Sequence, residues 1–197
     1  MMKPTSSAAD WRHRLIRPAA EIAAKGFIRF HISADALTVT GFTIVGMAAG
    51  LIVSRHLVWA GVALLIGSLL DSVDGAIARL MGRTSRFGAM LDSVLDRLSE
   101  GAVLVALIYV SALDNNAPVS ALAGVALLFS FIVSYVRARA EGLGISCSEG
   151  WFTRVERVIV LTLGLLTGYV VVALALVAVF SLVTLIQRLY AVWGKAR

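Results

Sequence analysis

The stretch DSVDGAIARLMGRTSRFGAMLDSVLD, residues 71–96, carries four of the chain's twelve acids: Asp71, Asp74, Asp92 and Asp96. Apolar sequence flanks it on both sides. VWAGVALLIGSLL runs into Asp71, and GAVLVALIYVSAL follows Asp96 and a short polar tail. Carboxylates at that depth cost about 2.5–3.5 kcal/mol each on insertion into lipid, so they need partners. The bases inside the stretch are Arg79, Arg83 and Arg86, and none lies one helical turn from all four acids. A divalent cation is the economical partner, and a hard cation such as Mg²⁺ prefers carboxylate oxygen.

Helical spacing groups the residues. Positions three or four apart share a face. Asp71, Asp74, Gly75 and Ala78 therefore form one stripe, two carboxylates followed by two very small residues. Gly88, Asp92 and Asp96 form a second stripe on the next helix. Facing each other, the stripes predict a four-carboxylate metal site beside nearly bare backbone, open to a bulky phosphorylated ligand. Small residues also let helices approach closely in membranes. The competing readings are polar contacts that only hold helices together, and a proton relay.

The eight positions Asp71, Asp74, Gly75, Ala78, Arg79, Gly88, Asp92 and Asp96 reproduce D-x2-D-G-x2-A-R-x8-G-x3-D-x3-D. This pattern resembles the complete motif of the CDP-alcohol phosphotransferase family. The resemblance implies an integral membrane enzyme that moves a phosphatidyl-type group from a CDP-linked lipid to an alcohol and releases CMP. It implies that Asp71, Asp74, Asp92 and Asp96 hold Mg²⁺ or Mn²⁺, two ions in all, and that Asp96 is the general base. It places Gly75, Ala78, Arg79 and Gly88, with the metal-binding aspartates, around the cytidine diphosphate. Thr38 is a further nucleotide candidate by the same resemblance, against a hydroxyl satisfied by its own helix backbone. The family's usual homodimer is expected here too.

Composition agrees with a membrane protein. Of 197 residues, 59% are hydrophobic, against about 45–50% apolar in soluble domains. The opening MMKPTSSAAD lacks the apolar core of a secretory signal. The single cysteine, Cys147, excludes an intrachain disulfide. A net charge of +6 reads as the bias of basic residues toward the cytoplasmic side, not as nucleic-acid binding.

The expected architecture is all-α, with six transmembrane helices (residues 31–197) behind a cytoplasmic amphipathic segment (1–30) that lies on the membrane surface. Within it, Ile16, Ala19, Ala20, Ala23, Phe27 and Phe30 make the apolar stripe. The spans are predicted at 36–53, 57–80, 87–113 and 119–136. Two shorter ones follow, hinged near Thr167–Gly168. With six spans, nearly all the bases collect on one side and Arg55 stands alone on the other. Both termini and the four aspartates then face the cytoplasm across a cell inner (plasma) membrane.

Arg137 and Arg139 end the fourth span, and Arg154 and Arg157 open the fifth on one face. Arginine forks suit phosphate, so this basic mouth favours an acceptor that carries phosphate. Arg137 and Arg139 are about 200° apart around a helix, so one of them points into the mouth. SYVRARAEGLG (134–144), RVER (154–157) and LDSVLDRLSEG (91–101) resemble the corresponding stretches of the phosphatidylinositol phosphate synthases within the family. Val155 stands where that group has proline, and Arg137 where lysine is commoner. That resemblance implies inositol 1-phosphate as acceptor, with Arg137, Arg154 and Arg157 on its phosphate. Glycerol 3-phosphate is the second reading, and a divalent-cation transporter is the reading from outside enzymology. Glu100 is expected to pair with Arg97, three residues before it on the same helix.

Overall fold

Ser54, Arg55 and His56 stop one apolar run and start another. Their amides fold back onto the carbonyls of Gly50, Ile52 and Leu51 at 2.9–3.0 Å, and Arg55 takes a positive φ of 67°. Around that turn the computed structural model describes residues 24, 26–27, 34–80 and 86–196. Six helices are delimited among them from residue 34 onward: α1 Ala34–Val53, α2 Leu57–Leu80, α3 Arg86–Leu113, α4 Ala117–Gly142, α5 Arg154–Thr167 and α6 Val170–Lys195. No strand occurs among the described residues.

The turns carry the chemistry that their residues predict. Pro118 lies in the first turn of α4, where its missing N–H is no loss. The Asn116 side chain there accepts from the Val119 amide at 3.3 Å. Gly168 ends α5 at φ 78°, the left-handed position that glycine fills without strain. On the same side of the bundle as the α1–α2 turn, Arg55 grips Asp114 with two bonds of 2.5 and 2.6 Å. That clamp ties the α1–α2 turn to the α3–α4 turn.

Helix neighbours form a closed ring: α1 on α2, α2 on α5, α5 on α6, α6 on α4, α4 on α3, and α3 back on α1. Every helix supplies side chains to one apolar core, among them Ile52, Leu64, Leu104, Ala126, Leu165 and Leu174. A smaller cluster of Leu37, Val73, Ala76 and Ile77 packs at the α1–α2 contact near the motif, and buried Ala24 joins it. Glycine sets the closeness of α1 and α2. A Cβ on Gly67 would lie 2.6 Å from Val45 Cγ2 and 2.9 Å from the Gly41 carbonyl. Leu69, Leu128, Phe131 and Ile186 are instead among many large apolar side chains exposed on the outside. A surface of that kind suits lipid rather than water.

Among the described residues, four helices are long and apolar enough to cross a membrane: α1, α2, α4 and α6. The expected six spans correspond to the six helices, and four of these meet the length and composition of a crossing. α3 has 28 residues, but its first fifteen carry Arg86, Asp92, Asp96, Arg97 and Glu100. α5 has 14 residues, about 21 Å of helix against ~30 Å of hydrocarbon. The hinge at Thr167–Gly168 is where the sequence puts it, but α6 is a full 26 residues and not a short span. α4 also runs past Val136 to Gly142. Of the expected amphipathic N-terminal segment, Ala24, Gly26 and Phe27 are helical; the rest lies outside the described residues.

Candidate active site

Asp71 comes from α2, and Asp92 and Asp96 from successive turns of α3. One carboxylate oxygen from each lies within 4.8 Å of the others. The two helices thus bring three of the four predicted acids together. Asp74, Ala78 and Arg79 belong to α2, but their side chains lie outside the described residues. Gly75 stands on the Asp71 face of α2, and Gly88 one turn before Asp92 on α3; both are partly exposed. Thr38 is half-buried on α1. Its neighbours Thr40 and Thr43 bond the Ala36 and Val39 carbonyls of their own helix at 2.7 and 2.8 Å.

Three carboxylates this close repel one another, and Arg154 offsets part of that repulsion. Its guanidinium donates to Asp71 Oδ2 at 2.7 Å and lies 2.5 Å from Asp96 Oδ1. Asp96 Oδ1 is buried and lacks the alignment of a hydrogen bond. Hard oxygen donors, clustered and incompletely satisfied, fit a divalent cation.

Next to the cluster is a cavity of ≈ 680 Å³, inside the usual range for small-molecule sites of about 300–1,000 Å³. α3 lines it with Asp96, Arg97 and Glu100, α4 with Ser134, Arg137 and Glu141, α5 with Arg154 and Arg157, and α6 with Arg188. Arg137 rather than Arg139 faces it, in line with the helical angle between them. Arg137 is half-exposed and bonds Glu141 one turn on at 2.9 Å. Arg154 and Arg157 share the cavity face of α5. Thr153 begins that helix, with its amide and hydroxyl both donating to Glu156 Oε2 at 2.8 and 2.6 Å.

Two features were not legible in advance. Glu100 does not pair with Arg97, which instead donates to the Ser93 carbonyl of its own helix. Glu100 takes Arg157 from α5, with Nε at 2.5 Å and Nη2 at 2.8 Å, and both side chains are almost fully buried. The bidentate tertiary contact wins because it satisfies both groups in the interior, where an unpaired charge is costly. The second feature is Arg188. Only 3% of it is exposed. It donates to the Val133 carbonyl at 2.6 Å and the Glu149 carbonyl at 2.9 Å, and no carboxylate among the described residues makes an ion pair with it. Sequence alone counts it among the interfacial bases. The available signal was its position at the end of an apolar run, where an ionisable side chain inside a bundle marks a site.

A membrane-embedded transferase of phosphate-linked groups is the class such a layout defines, with clustered carboxylates opening onto a cavity rich in arginine. The chain belongs to the CDP-alcohol phosphatidyltransferase family, whose sequence profile matches residues 31–193. It is 35% identical over 191 residues to the archaetidylinositol phosphate synthase of Methanothermobacter thermautotrophicus, covering 93% of this chain and 91% of that one. It is 38% identical over 179 residues to the phosphatidylinositol phosphate synthase of Corynebacterium glutamicum, covering 86% and 81%. Among solved structures it is similar to the Mycobacterium tuberculosis phosphatidylinositol phosphate synthase with CDP-DAG bound. That match has a TM-score of 0.78 and 31% identity over 91% of this chain and 94% of the other. The same enzyme in complex with manganese and citrate gives 0.80 and 32%, covering 88% of each. The chain is thus a multi-pass membrane transferase of phosphate groups, and its carboxylate centre suits a divalent metal.

Proposed function

We propose that this chain transfers the phosphatidyl-type group of a CDP-linked lipid, CDP-diacylglycerol, to a hydroxyl of inositol 1-phosphate and releases CMP. The observation that carries the reading is the double position of Asp96. It belongs to the carboxylate cluster and also lines the arginine-rich cavity. A base at that junction meets an acceptor entering from the cavity just where a diphosphate held at the cluster would be attacked.

Asp71, Asp74, Asp92 and Asp96 would hold two ions, Mg²⁺ or Mn²⁺. When bound, the metal offsets charge on the phosphate oxygens and on the leaving nucleotide. Gly75, Ala78, Arg79 and Gly88 keep bulk away from the cytidine diphosphate, with Thr38 near it. Arg137, Arg154 and Arg157 take the acceptor's phosphate, and Arg188 adds a buried positive charge to the lining of the same cavity. The acceptor hydroxyl gives its proton to the Asp96 carboxylate as its oxygen bonds the lipid phosphorus. The bond from that phosphorus to the bridging oxygen breaks, and CMP leaves. A carboxylate is a weak base, so reach matters more than basicity: Asp96 needs hydrogen-bond distance to the hydroxyl.

In this reading the chain is a homodimer with six crossings per copy, α3 and α5 included. Residues 31–197 form the catalytic domain, and residues 1–30 lie on the cytoplasmic surface among acidic lipid heads. The aspartates then face the cytoplasm, where CMP and inositol phosphate are soluble. The test is CMP release by purified protein with CDP-diacylglycerol and Mg²⁺, comparing inositol 1-phosphate with glycerol 3-phosphate. Turnover with inositol 1-phosphate alone is expected. Turnover with glycerol 3-phosphate alone would overturn the acceptor and leave the aspartate centre intact. A CDP-linked lipid with ether tails, run in parallel, reports on the tails.

A further inference from the structure

An acid buried in a cavity meant for an anion needs a reason. Glu100 is 4% exposed and lines the cavity alongside five arginines, Arg97, Arg137, Arg154, Arg157 and Arg188. By charge alone it should weaken binding of any phosphate there. Its geometry is specific, however. Glu100 Oε1 accepts from Arg157 Nε at 2.5 Å and Oε2 from Nη2 at 2.8 Å. The clamp therefore holds one edge of the planar guanidinium and leaves Nη1 outside it. A guanidinium has five N–H donors in a rigid fork, so fixing one edge fixes the direction of the others.

The clamp also sits in register with the catalytic acids. Glu100 follows Asp96 by one turn of α3, and Arg157 follows Arg154 by one turn of α5. Two parallel contacts result, Asp96–Arg154 at 2.5 Å and Glu100–Arg157 at 2.5 Å. The second ties α5 to the helix that carries the base.

We propose that Glu100 is a positioning residue for the acceptor: by holding the Nε–Nη2 edge of Arg157, it directs that arginine's remaining donors at the acceptor's phosphate and fixes the distance from that phosphate to Asp96. The proposal rests on the assignment of the cavity to a phosphorylated acceptor, but not on which one. Both Glu100 oxygens are taken by Arg157, so its role runs through that arginine and it is not a catalytic residue. Its loss acts through Arg157.

The test compares Glu100→Gln, which loses the charge, with Glu100→Asp, which keeps the charge on a shorter arm. KM for the phosphorylated acceptor is read against kcat and against KM for the CDP-lipid. The rise in thermal midpoint that inorganic phosphate gives each purified protein is read without turnover. Glu100→Gln should raise acceptor KM at least tenfold, leave the CDP-lipid KM within twofold and abolish the phosphate-induced rise. Glu100→Asp should give an acceptor KM between the two. If Glu100→Gln does not fold, Glu100→Asp alone decides: its acceptor KM must rise severalfold with the CDP-lipid KM unchanged. An acceptor KM and phosphate response equal to the unmodified protein in the folded variants would overturn the proposal, whatever happens to their melting. If neither inositol 1-phosphate nor glycerol 3-phosphate turns over in the unmodified protein, but phosphate still raises its midpoint and Glu100→Gln loses that response, both named acceptors fall and the positioning of a phosphate by Glu100 stands.

Discussion

Replacing Gly150 with alanine should loosen the cavity from a position that touches no substrate. Gly150 adopts φ 113°, a region open almost only to glycine, and a side chain there costs about 1–3 kcal/mol. A Cβ would also lie 2.6 Å from Thr184 Cγ2 and 3.3 Å from Arg188 Nε. Forcing such contacts apart adds about 1–3 kcal/mol. Gly144 is the internal control, because it too has positive φ, 77°, yet a Cβ there meets nothing within 4 Å. Gly144→Ala pays the backbone cost alone. At roughly 2–4 °C per kcal/mol for a chain of this size, Gly150→Ala should melt at least about 5 °C below the unmodified protein and clearly below Gly144→Ala. The displaced neighbours should show in kinetics as well. Arg188 lines the cavity, so acceptor KM should rise in Gly150→Ala while CDP-lipid KM holds. The assay is a detergent-solubilised melt followed by CMP release at varied acceptor. Equal melting of the two alanine variants would refute the steric argument, and an unchanged acceptor KM would refute the link from this loop to the cavity.

Three further outcomes are expected. Asp96→Asn should lose on the order of 10²–10⁴-fold in kcat, the range for a general base, while CDP-lipid binding by titration persists in part; normal turnover would sink the base assignment. Chelation should abolish CMP release and added Mg²⁺ or Mn²⁺ should restore it, and Asp92→Asn should raise the metal concentration needed; activity indifferent to chelator would remove the metal from the scheme. Lys195 holds the Glu149 carboxylate at 2.6 Å and pulls its pKa below the usual range. The native value being the lower one, the contact stabilises above about pH 4–5 and fades as pH falls through it. The melting difference between the unmodified protein and Lys195→Met should therefore be flat at neutral pH and vanish in acid, and one that grows in acid would contradict the pairing.

Local signals decided what the sequence could foretell. α2 begins at Leu57 and ends at Leu80 as expected, because a tight polar turn precedes it and an apolar run fills it. Asp71, Asp92 and Asp96 meet because their spacing puts each pair of acids on one stripe. α4 outran its expected end because Arg137, Arg139 and Glu141 are good helix formers. Its true stop is the turn after Gly142, where the Ile145 amide reaches back to the Ala140 carbonyl at 2.9 Å. Glu100 found a partner 57 residues away, and a contact of that span leaves no periodic trace. Arg188 enters the sequence reading only as one base on the cytoplasmic side, because counting bases by side says nothing of depth. Asp74, Ala78 and Arg79 remain expectations of the motif.

One face of α6 carries a consequence for how the protein is made. Thr184, Gln187, Arg188 and Lys195 bond to the connection before α5, at the Phe152 amide, the Trp151 amide, the Glu149 carbonyl and the Ser146 carbonyl. α6 contains none of the eight motif residues, yet it holds the segment from which Arg154 and Arg157 are launched. Synthesis runs from the N-terminus, so the aspartates and both arginines are made before the helix that holds the arginine-bearing segment has left the ribosome. A chain arrested after α5 would own the four aspartates, Arg137, Arg154 and Arg157, but neither Arg188 nor the helix that holds the arginine-bearing segment. Its competence would arrive only with insertion of α6, so an unfinished copy in the membrane would be unable to draw on the cell's pool of activated lipid.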